Sequence, residues 1–158
     1  SIAMSALEYQ QSNPGSLPGN VQIIGTDISN TMLDHCKYAH YDSLALSRGL
    51  SPERKRLVFE NGDNGMSKVK DSVKKSVSFR QLNLLGSYSL MGRFDIVFCR
   101  NVLIYFAPEI KMQILSQIHG VLNKGGYLFL GASESLSNLS QDFDMIRCNP
   151  GIVYQKKS

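Results

Sequence analysis

The chain has 158 residues, of which 42% are hydrophobic and 19% are charged, and its formal net charge is +4. This length suits one domain with a core of its own, and no apolar run approaches the roughly 20 residues that a membrane-spanning helix needs. Residues 1–6 lack the basic start and long apolar stretch of a signal peptide, and the three cysteines are odd in number and widely spaced, which argues for a reducing compartment and against a disulfide scaffold.

The first elements alternate between helix and strand. Residues 2–7 read as the end of a helix, residues 11–20 as a loop rich in Pro and Gly, and residues 21–25 as a short buried strand. Ser29 is a good N-cap for the helix that follows, because Met32, Leu33 and Cys36 have helical spacing. This part of the chain predicts a strand followed directly by a helix.

The next segment carries the whole basic excess of the chain. Residues 48–80 hold nine Lys and Arg against four Asp and Glu. A solvated surface and a docking face for an acidic partner both fit this pattern, whereas nucleic acid fits poorly, because aromatic residues are not interleaved with the basic ones. The pair Asn64-Gly65 favours a tight hairpin turn, so we predict an inserted small antiparallel β-subdomain at about residues 46–76 rather than a disordered insert.

A regular pattern resumes after the insert. Strands are predicted at 77–82, 94–99 and 127–130, and a helix begins at Pro108 and ends at Lys124-Gly125-Gly126. Residues 143–147 and 151–155 look like a closing antiparallel pair. Alternating strands and helices predict the α/β class, with parallel crossovers in the sheet.

Polar residues follow three of the predicted strands. Asp27, Asn83 and the pair Arg100-Asn101 occupy these ends, where ligands bind in open α/β sheets. A carboxylate can accept both hydroxyls of a ribose, and an Asn offers one donor and one acceptor to an adenine edge. Taken singly, Asp27 also suits a helix cap, Asn83 a turn and Arg100 a surface ion pair. Neither a phosphate-binding P-loop nor a close Cys/His metal spacing is visible, so no metal site is expected.

Taken together, several runs resemble the chemoreceptor methyltransferases, the CheR family of protein-glutamate O-methyltransferases. The most specific run is CRNVLIYF at 99–106. The others are GTDIS at 25–29, RGLS at 48–51, NLL at 83–85, FDIVF at 94–98, GGYLFLG at 125–131 and SES at 133–135. The resemblance covers nearly the whole chain. It implies a Rossmann-like fold that uses S-adenosylmethionine, with the β-subdomain inserted, in a cytoplasmic protein of chemotaxis adaptation.

The resemblance also implies roles for individual residues. Asp27 would bind the ribose of S-adenosylmethionine, Asn83 and Leu84 would contact the adenine region, and Arg100 and Asn101 would line the cofactor pocket. Tyr105 matches the aromatic residue close to the reacting methyl, although a tyrosine at this position also suits a buried core. The partner would be the cytoplasmic domain of a methyl-accepting chemoreceptor, contacted through the basic β-subdomain, with no nucleic acid and no insertion into the membrane.

One departure from the family concerns the start of the chain. The family begins its cofactor domain with a strand and a Gly-containing turn, which lead into a first helix. Residues 1–4 of this chain look like the middle of that first helix. The expectation is therefore a fragment without the central first strand and the N-terminal helical domain. The strands on either side of the missing one would then be unpaired, and such a fragment should bind the cofactor poorly.

The implied reaction is an in-line methyl transfer to a carboxylate. A glutamate with a reference pKa of about 4.3 is ionised at neutral pH, so neither a general base nor a metal is needed. Tyr105 would hold the acceptor and face the cationic sulfonium, and Arg100 would orient a carboxylate of either the cofactor or the acceptor. The product would be S-adenosylhomocysteine.

Two other functions stay open at this point. A non-catalytic interaction module would keep the nucleotide fold and act through its basic hairpin, and the missing Gly-containing turn favours it. A nicotinamide-dependent reductase would use Asp27 on its ribose equally well, but Asn83-Leu84 and Arg100-Asn101-Val102 argue against it.

Overall fold

The computed structural model describes residues 1–17, 19–47 and 49–157. The chain divides into two compact units, Ser1–Asn83 (unit 1) and Leu84–Ser158 (unit 2). The helices and strands of unit 1 are α1 Ile2–Ser12, β1 Ile23–Asp27, α2 Asn30–Tyr38, β2 His40–Tyr41, α3 Ser43–Ser47, α4 Pro52–Val58, β3 Phe59–Asn61, β4 Ser67–Val69, α5 Asp71–Lys74 and β5 Val77–Gln81. Those of unit 2 are β6 Phe94–Cys99, α6 Pro108–Val121, β7 Leu122–Leu130, β8 Phe143–Arg147 and β9 Ile152–Lys156.

Strands β1 and β5 form a parallel pair in unit 1. Strand β1 begins and ends two residues later than the sequence predicts, because Thr26 and Asp27 still pair with Arg80 and Gln81. The predicted cap is confirmed: Ser29 Oγ accepts the backbone N–H of Met32 at 3.3 Å, which satisfies a donor in the first turn of α2.

A second sheet of unit 1 contains the predicted hairpin. Strands β3 and β4 pair antiparallel, but five residues, 62–66, join them instead of the predicted tight turn. These residues include a 3-10 turn, Asp63–Gly65, in which Asn64 and Gly65 have φ of 55° and 73°. Asn and Gly adopt these left-handed angles at little cost, which explains the turn. The sheet has the order β2-β4-β3, so it includes His40–Tyr41, which precede the predicted start of the insert at residue 46. The extent of the β-subdomain stays a prediction.

Unit 2 is built on a sheet of order β6-β7-β9-β8. Strands β6 and β7 are parallel, whereas β9 is antiparallel to both β7 and β8, as the predicted closing pair requires. Helix α6 buries one apolar face, and the most deeply buried side chains of the unit are Ile114, Leu115, Leu122 and Leu128. Among the described residues, β6 pairs with β7 alone and β1 with β5 alone.

The predicted end of the long helix at Lys124-Gly125-Gly126 is wrong. Helix α6 ends at Val121, and Leu122 is already extended, with φ −74° and ψ 140°. Leu122 is buried and begins strand β7 instead of continuing the helix. Gly125 and Gly126 lie where the pairing of β7 with β6 is irregular, because the register shifts between Phe94 and Ile96. Carbonyl oxygens at the end of the helix accept hydrogen bonds from the Lys156 ammonium, so no glycine cap is required.

No helix in the described ranges combines the length and the apolar character that crossing a lipid bilayer demands.

Candidate functional site

Two of the predicted cofactor residues lie at the same end of the unit 1 sheet. Asp27 is the last residue of β1 and pairs with Gln81, the last residue of β5. Asn83 follows two residues later, and its side chain is exposed, as is that of Asp27. Since the strands are parallel and in register, both residues emerge at the carboxyl edge, where open α/β sheets bind ligands.

The carboxylate of Asp27 has a local partner as well. Its Oδ1 accepts the backbone N–H of Ser29 at 2.8 Å, which holds the turn that leads into α2. Asp27 is therefore not the helix cap, which is Ser29, but it stabilises the turn that precedes this cap. This bond uses one of two carboxylate oxygens on an exposed side chain, so the residue still fits the two hydroxyl donors of a ribose.

Arg100 and Asn101 follow β6 in unit 2. The guanidinium Nε of Arg100 donates to the carbonyl oxygen of Leu130 at 3.3 Å, which ties this loop to the end of the neighbouring strand β7. Asn101 has a left-handed φ of 58°. Asn is one of the few residues that adopt this conformation readily, and it turns the chain sharply away from the strand.

Tyr105 ends a 3-10 turn, Leu103–Tyr105, five residues after Arg100. Its side chain is 80% exposed, whereas Leu103 in the same turn is buried. Tyr105 is therefore not a core tyrosine. An exposed aromatic ring in a loop beyond a parallel strand is available to a ligand or to a protein substrate.

The backbone after Asn83 is held by side chains that the sequence did not indicate. The hydroxyl of Tyr88 donates to the carbonyl oxygen of Leu84 at 2.9 Å, and the Gln117 side chain of α6 bonds both Tyr88 N and Gly86 O. Burial, together with the nearby Cys99, raises the pKa of Tyr88 to about 12, so its hydroxyl remains a donor at neutral pH. Leu84, a predicted cofactor contact, therefore lies in a loop that these hydrogen bonds hold in place.

Cys99 precedes Arg100 and is buried. Burial raises the pKa of its thiol to about 11, and the negative charge of Glu134 adds to the effect. The thiol therefore stays protonated at neutral pH, in agreement with its interpretation as a small apolar side chain.

Glu134 is a residue whose role the sequence did not indicate. In the sequence it belongs only to the SES motif, yet its carboxylate accepts backbone N–H groups from the loop after β6 and from Gly131. Three of its four partners lie 30 to 33 residues away in the chain, and all four are main-chain groups, which leave no pattern of residue types. The motif itself was the available signal.

A cavity of about 780 Å³ lies elsewhere in unit 1. Side chains of α1, α4, α5 and β5 line it, and the predicted site residues do not. Because ligands of α/β sheets bind beyond strand ends, the strand-end residues are the better candidates for cofactor binding. No cluster of three His, Cys, Asp or Glu that could hold a metal is found in residues 1–17, 19–47 and 49–157.

Comparison with known families gives a match over most of the chain. The family described as the CheR methyltransferase SAM-binding domain matches residues 1–152. Chemotaxis protein methyltransferase 1 of Vibrio cholerae is 59% identical over 157 residues, which are 99% of this chain and 57% of that protein. Chemotaxis protein methyltransferase Cher2 of Pseudomonas putida is 52% identical over the same share of both chains. The chain thus spans somewhat more than half the length of these relatives.

Solved structures support the fold. Magnesium protoporphyrin IX methyltransferase (ChlM) from Synechocystis PCC 6803, with bound SAM, has a TM-score of 0.52 at 16% identity and covers 99% of this chain and 78% of its own. The form with bound SAH has the same TM-score. The predicted Rossmann-like methyltransferase fold is confirmed, whereas the roles of the individual site residues stay predictions. By its match over residues 1–152 and its identity to curated relatives, the chain belongs to the CheR methyltransferase family, as its SAM-binding domain.

Proposed function

We propose that the natural protein in which this chain occurs transfers methyl groups from S-adenosylmethionine to glutamate side chains in the cytoplasmic part of chemoreceptors. One observation carries the proposal: the family match spans residues 1–152, and relatives that are 59% and 52% identical are named chemotaxis protein methyltransferases. The exposed polar residues beyond β1, β5 and β6 support it, since a cofactor of this chemistry requires such groups.

We assign the cofactor contacts in unit 1 to Asp27 and Asn83. The carboxylate of Asp27 would accept the ribose hydroxyls, with Oδ1 already fixed by the N–H of Ser29 at 2.8 Å. A side chain oriented in advance loses less rotational freedom when the ligand binds, which favours affinity. Asn83 would bond the adenine edge through one donor and one acceptor.

In unit 2 the proposed contacts follow β6. Arg100 and Asn101 would bind the cofactor, and Tyr105 would face the reacting group. The exposure of Tyr105 supports this role, because a glutamate on another protein has to reach the methyl group. The Arg100 side chain already donates to the Leu130 carbonyl through Nε, which leaves its terminal amino groups for a carboxylate.

The chemistry requires positioning rather than proton transfer. When bound, S-adenosylmethionine supplies a methyl group that passes to a carboxylate oxygen as the carbon–sulfur bond breaks, with the bonding electron pair left on the sulfur of S-adenosylhomocysteine. The acceptor glutamate is ionised at neutral pH, so the protein has no proton to remove. Its residues have to align the two partners and exclude water.

We further propose that the basic segment, residues 48–80, docks the acidic receptor. Three of its four carboxylates, those of Glu53, Glu60 and Asp71, already form ion pairs with Arg56 or Lys68. Lys75 is exposed and, within the described part of the chain, forms no ion pair, so it is available to a partner.

Lys75→Glu should raise the KM for receptor in low salt, because the change removes a positive charge that attracts the acidic receptor. Lys37→Glu serves as the control, since Lys37 is already paired with Asp34. Equal effects of both changes would contradict the docking role.

Methylation of receptors tests the proposal directly. The natural protein is incubated with receptor-containing membranes and cofactor labelled with tritium in the methyl group, and the label is then exposed to mild base. A glutamate methyl ester releases its label as methanol, whereas a methylated amine retains it. We expect base-labile label on the receptor. Receptor that carries no label, or only base-stable label, would overturn the proposal.

A further inference from the structure

One carboxylate in unit 2 collects four backbone N–H groups. Oε2 of Glu134 accepts the N–H of Asn101 and that of Gly131, each at 2.7 Å. Oε1 accepts the N–H of Val102 at 3.1 Å and that of Ile104 at 3.3 Å. Both oxygens are thus occupied, and hydrogen bonds of this charged kind are stronger than neutral ones.

These donors belong to two different segments of the unit. Three of them lie in the loop after β6, and Gly131 is the first residue after β7. Glu134 therefore fastens the two loops that leave neighbouring parallel strands. Arg100 adds a second tie between the same two strand ends, through its bond to the Leu130 carbonyl.

The packing at this point leaves no spare room. A Cβ on Gly131 would lie 2.4 Å from Asn101 Oδ1, 2.6 Å from Glu134 Oε2 and 3.0 Å from Asn101 N. Real Cβ atoms essentially never come closer than 3.0 Å to another atom, so a side chain at this position would displace the Asn101 amide and the Glu134 carboxylate. The close approach is a built feature of the fold rather than an incidental surface contact.

The charge of Glu134 is retained in this setting. Partial burial alone would raise the pKa of its carboxyl group, but the backbone N–H groups of Asn101, Gly131, Val102 and Ile104 outweigh burial and lower the pKa below its ordinary value. The carboxylate is therefore ionised at neutral pH, and in this form both of its oxygens accept hydrogen bonds from the four N–H donors.

We propose that Glu134 is a positioning residue for methyl transfer. By holding the backbone of Asn101, Val102 and Ile104, it fixes the loop after β6. This loop carries the side chains of Arg100, Asn101 and Tyr105. The proposal rests on the proposed function. The left-handed backbone of Asn101 and the exposed ring of Tyr105 both belong to this loop. Without the carboxylate, the N–H groups of the loop would lose their acceptor, and the loop would relax to other conformations.

The natural protein with Glu134→Gln tests the proposal. Glutamine has nearly the same shape but offers one acceptor oxygen, so two of the four N–H groups lose their partner and face an NH₂ group. We expect kcat to fall about 10- to 100-fold, since a displacement of about 1 Å has this effect on an aligned reaction. Asp144→Asn is the matched control, because Asp144 is an exposed carboxylate of the same unit that contacts the Lys157 ammonium at 3.7 Å.

Amide hydrogen exchange, followed by NMR without cofactor, separates a local effect from general unfolding. In E134Q we expect faster exchange at Asn101, Val102 and Ile104, with the β7 amides of Leu128 and Leu130 as protected as in the wild type. If E134Q does not fold, E134D replaces it, since it retains both oxygens on a shorter side chain; a reduced kcat with a protected β7 is then expected.

Three results would overturn the proposal. They are a kcat for the folded variant within twofold of the wild type, an equal loss of kcat in D144N, and unchanged exchange in the loop after β6. Failure of the proposed function looks different, because then the wild-type protein itself would transfer no methyl group, while the loop amides would still lose protection in E134Q.

Discussion

The backbone N–H of Leu82 donates to the carbonyl oxygen of Asp27 at 3.0 Å. This bond extends the parallel pairing of β1 and β5 one step beyond Gln81, the last residue of β5. Asn83 therefore follows a residue whose backbone is bonded to Asp27, and the two side chains that we assign to ribose and adenine lie at the same edge of the sheet.

Tyr105→Phe should slow the reaction while leaving cofactor affinity almost unchanged. The change removes only a hydroxyl from a ring that is 80% exposed, so the free energy of unfolding should stay within about 0.5 kcal/mol of the wild-type value. A fall in kcat of about tenfold, with an unchanged calorimetric Kd for S-adenosylhomocysteine, is expected if the hydroxyl orients the acceptor. Tyr9→Phe is the control, because Tyr9 in α1 is also an exposed tyrosine. Wild-type kcat and Kd in Tyr105→Phe would leave Tyr105 without a role in transfer.

Gly131→Ala and Gly120→Ala should change stability in opposite directions. At Gly131 the added methyl would meet Asn101 and Glu134 at distances below 3.0 Å, so the bonds of Glu134 must lengthen, and we expect a loss of about 1–3 kcal/mol. At Gly120, inside α6, nothing lies within 4 Å, and alanine should stabilise the helix by about 0.5–1 kcal/mol. Urea denaturation of both variants measures the difference, and a shift of the same sign in both would contradict this description of the loop.

Acid should destabilise the wild type more than Glu134→Gln. The pKa of Glu134 is lower in the folded chain than its ordinary value of 4.5, because four N–H bonds outweigh burial. Its contribution to stability is therefore complete above the value of the unfolded chain and is lost as the pH falls through the lower, folded value. Urea midpoints measured at neutral pH and in acid should converge for the two proteins as the pH falls. If the difference between the two urea midpoints stays the same at every pH, the charge of Glu134 contributes nothing to the stability of the fold.

The end of β6 and the polar residues beyond it could be predicted from the sequence, because a short apolar run stops at Arg100, whereas β1 ends two residues later than predicted. Strand β6 and the cap at Ser29 were predicted correctly on this basis. The hairpin at Asn64-Gly65 was also predictable, although five residues join its strands instead of a tight turn. These features depend on local preferences that neighbouring residues determine.

Features that depend on distant contacts were not predictable in the same way. Leu122 begins a strand instead of continuing the helix, because it packs in the core and pairs with Phe94. Helix α4, which begins at the Ser51 cap, was not anticipated within the basic segment. Three of the four bonds of Glu134 join residues 30 to 33 positions apart, and no periodicity indicates them.

The binding of the ribose to Asp27 is tested most directly by a calorimetric cycle on the natural protein. Wild type and Asp27→Asn are each titrated with S-adenosylhomocysteine and with its analogue that lacks the ribose 2′-hydroxyl. A hydrogen bond to a charged group contributes about 1.5–3 kcal/mol, so the wild type should prefer the parent compound by roughly 10- to 100-fold. Asp27→Asn should lose most of this preference. If Asp27→Asn discriminates between the two compounds as strongly as the wild type does, the ribose is bound elsewhere and the account is contradicted.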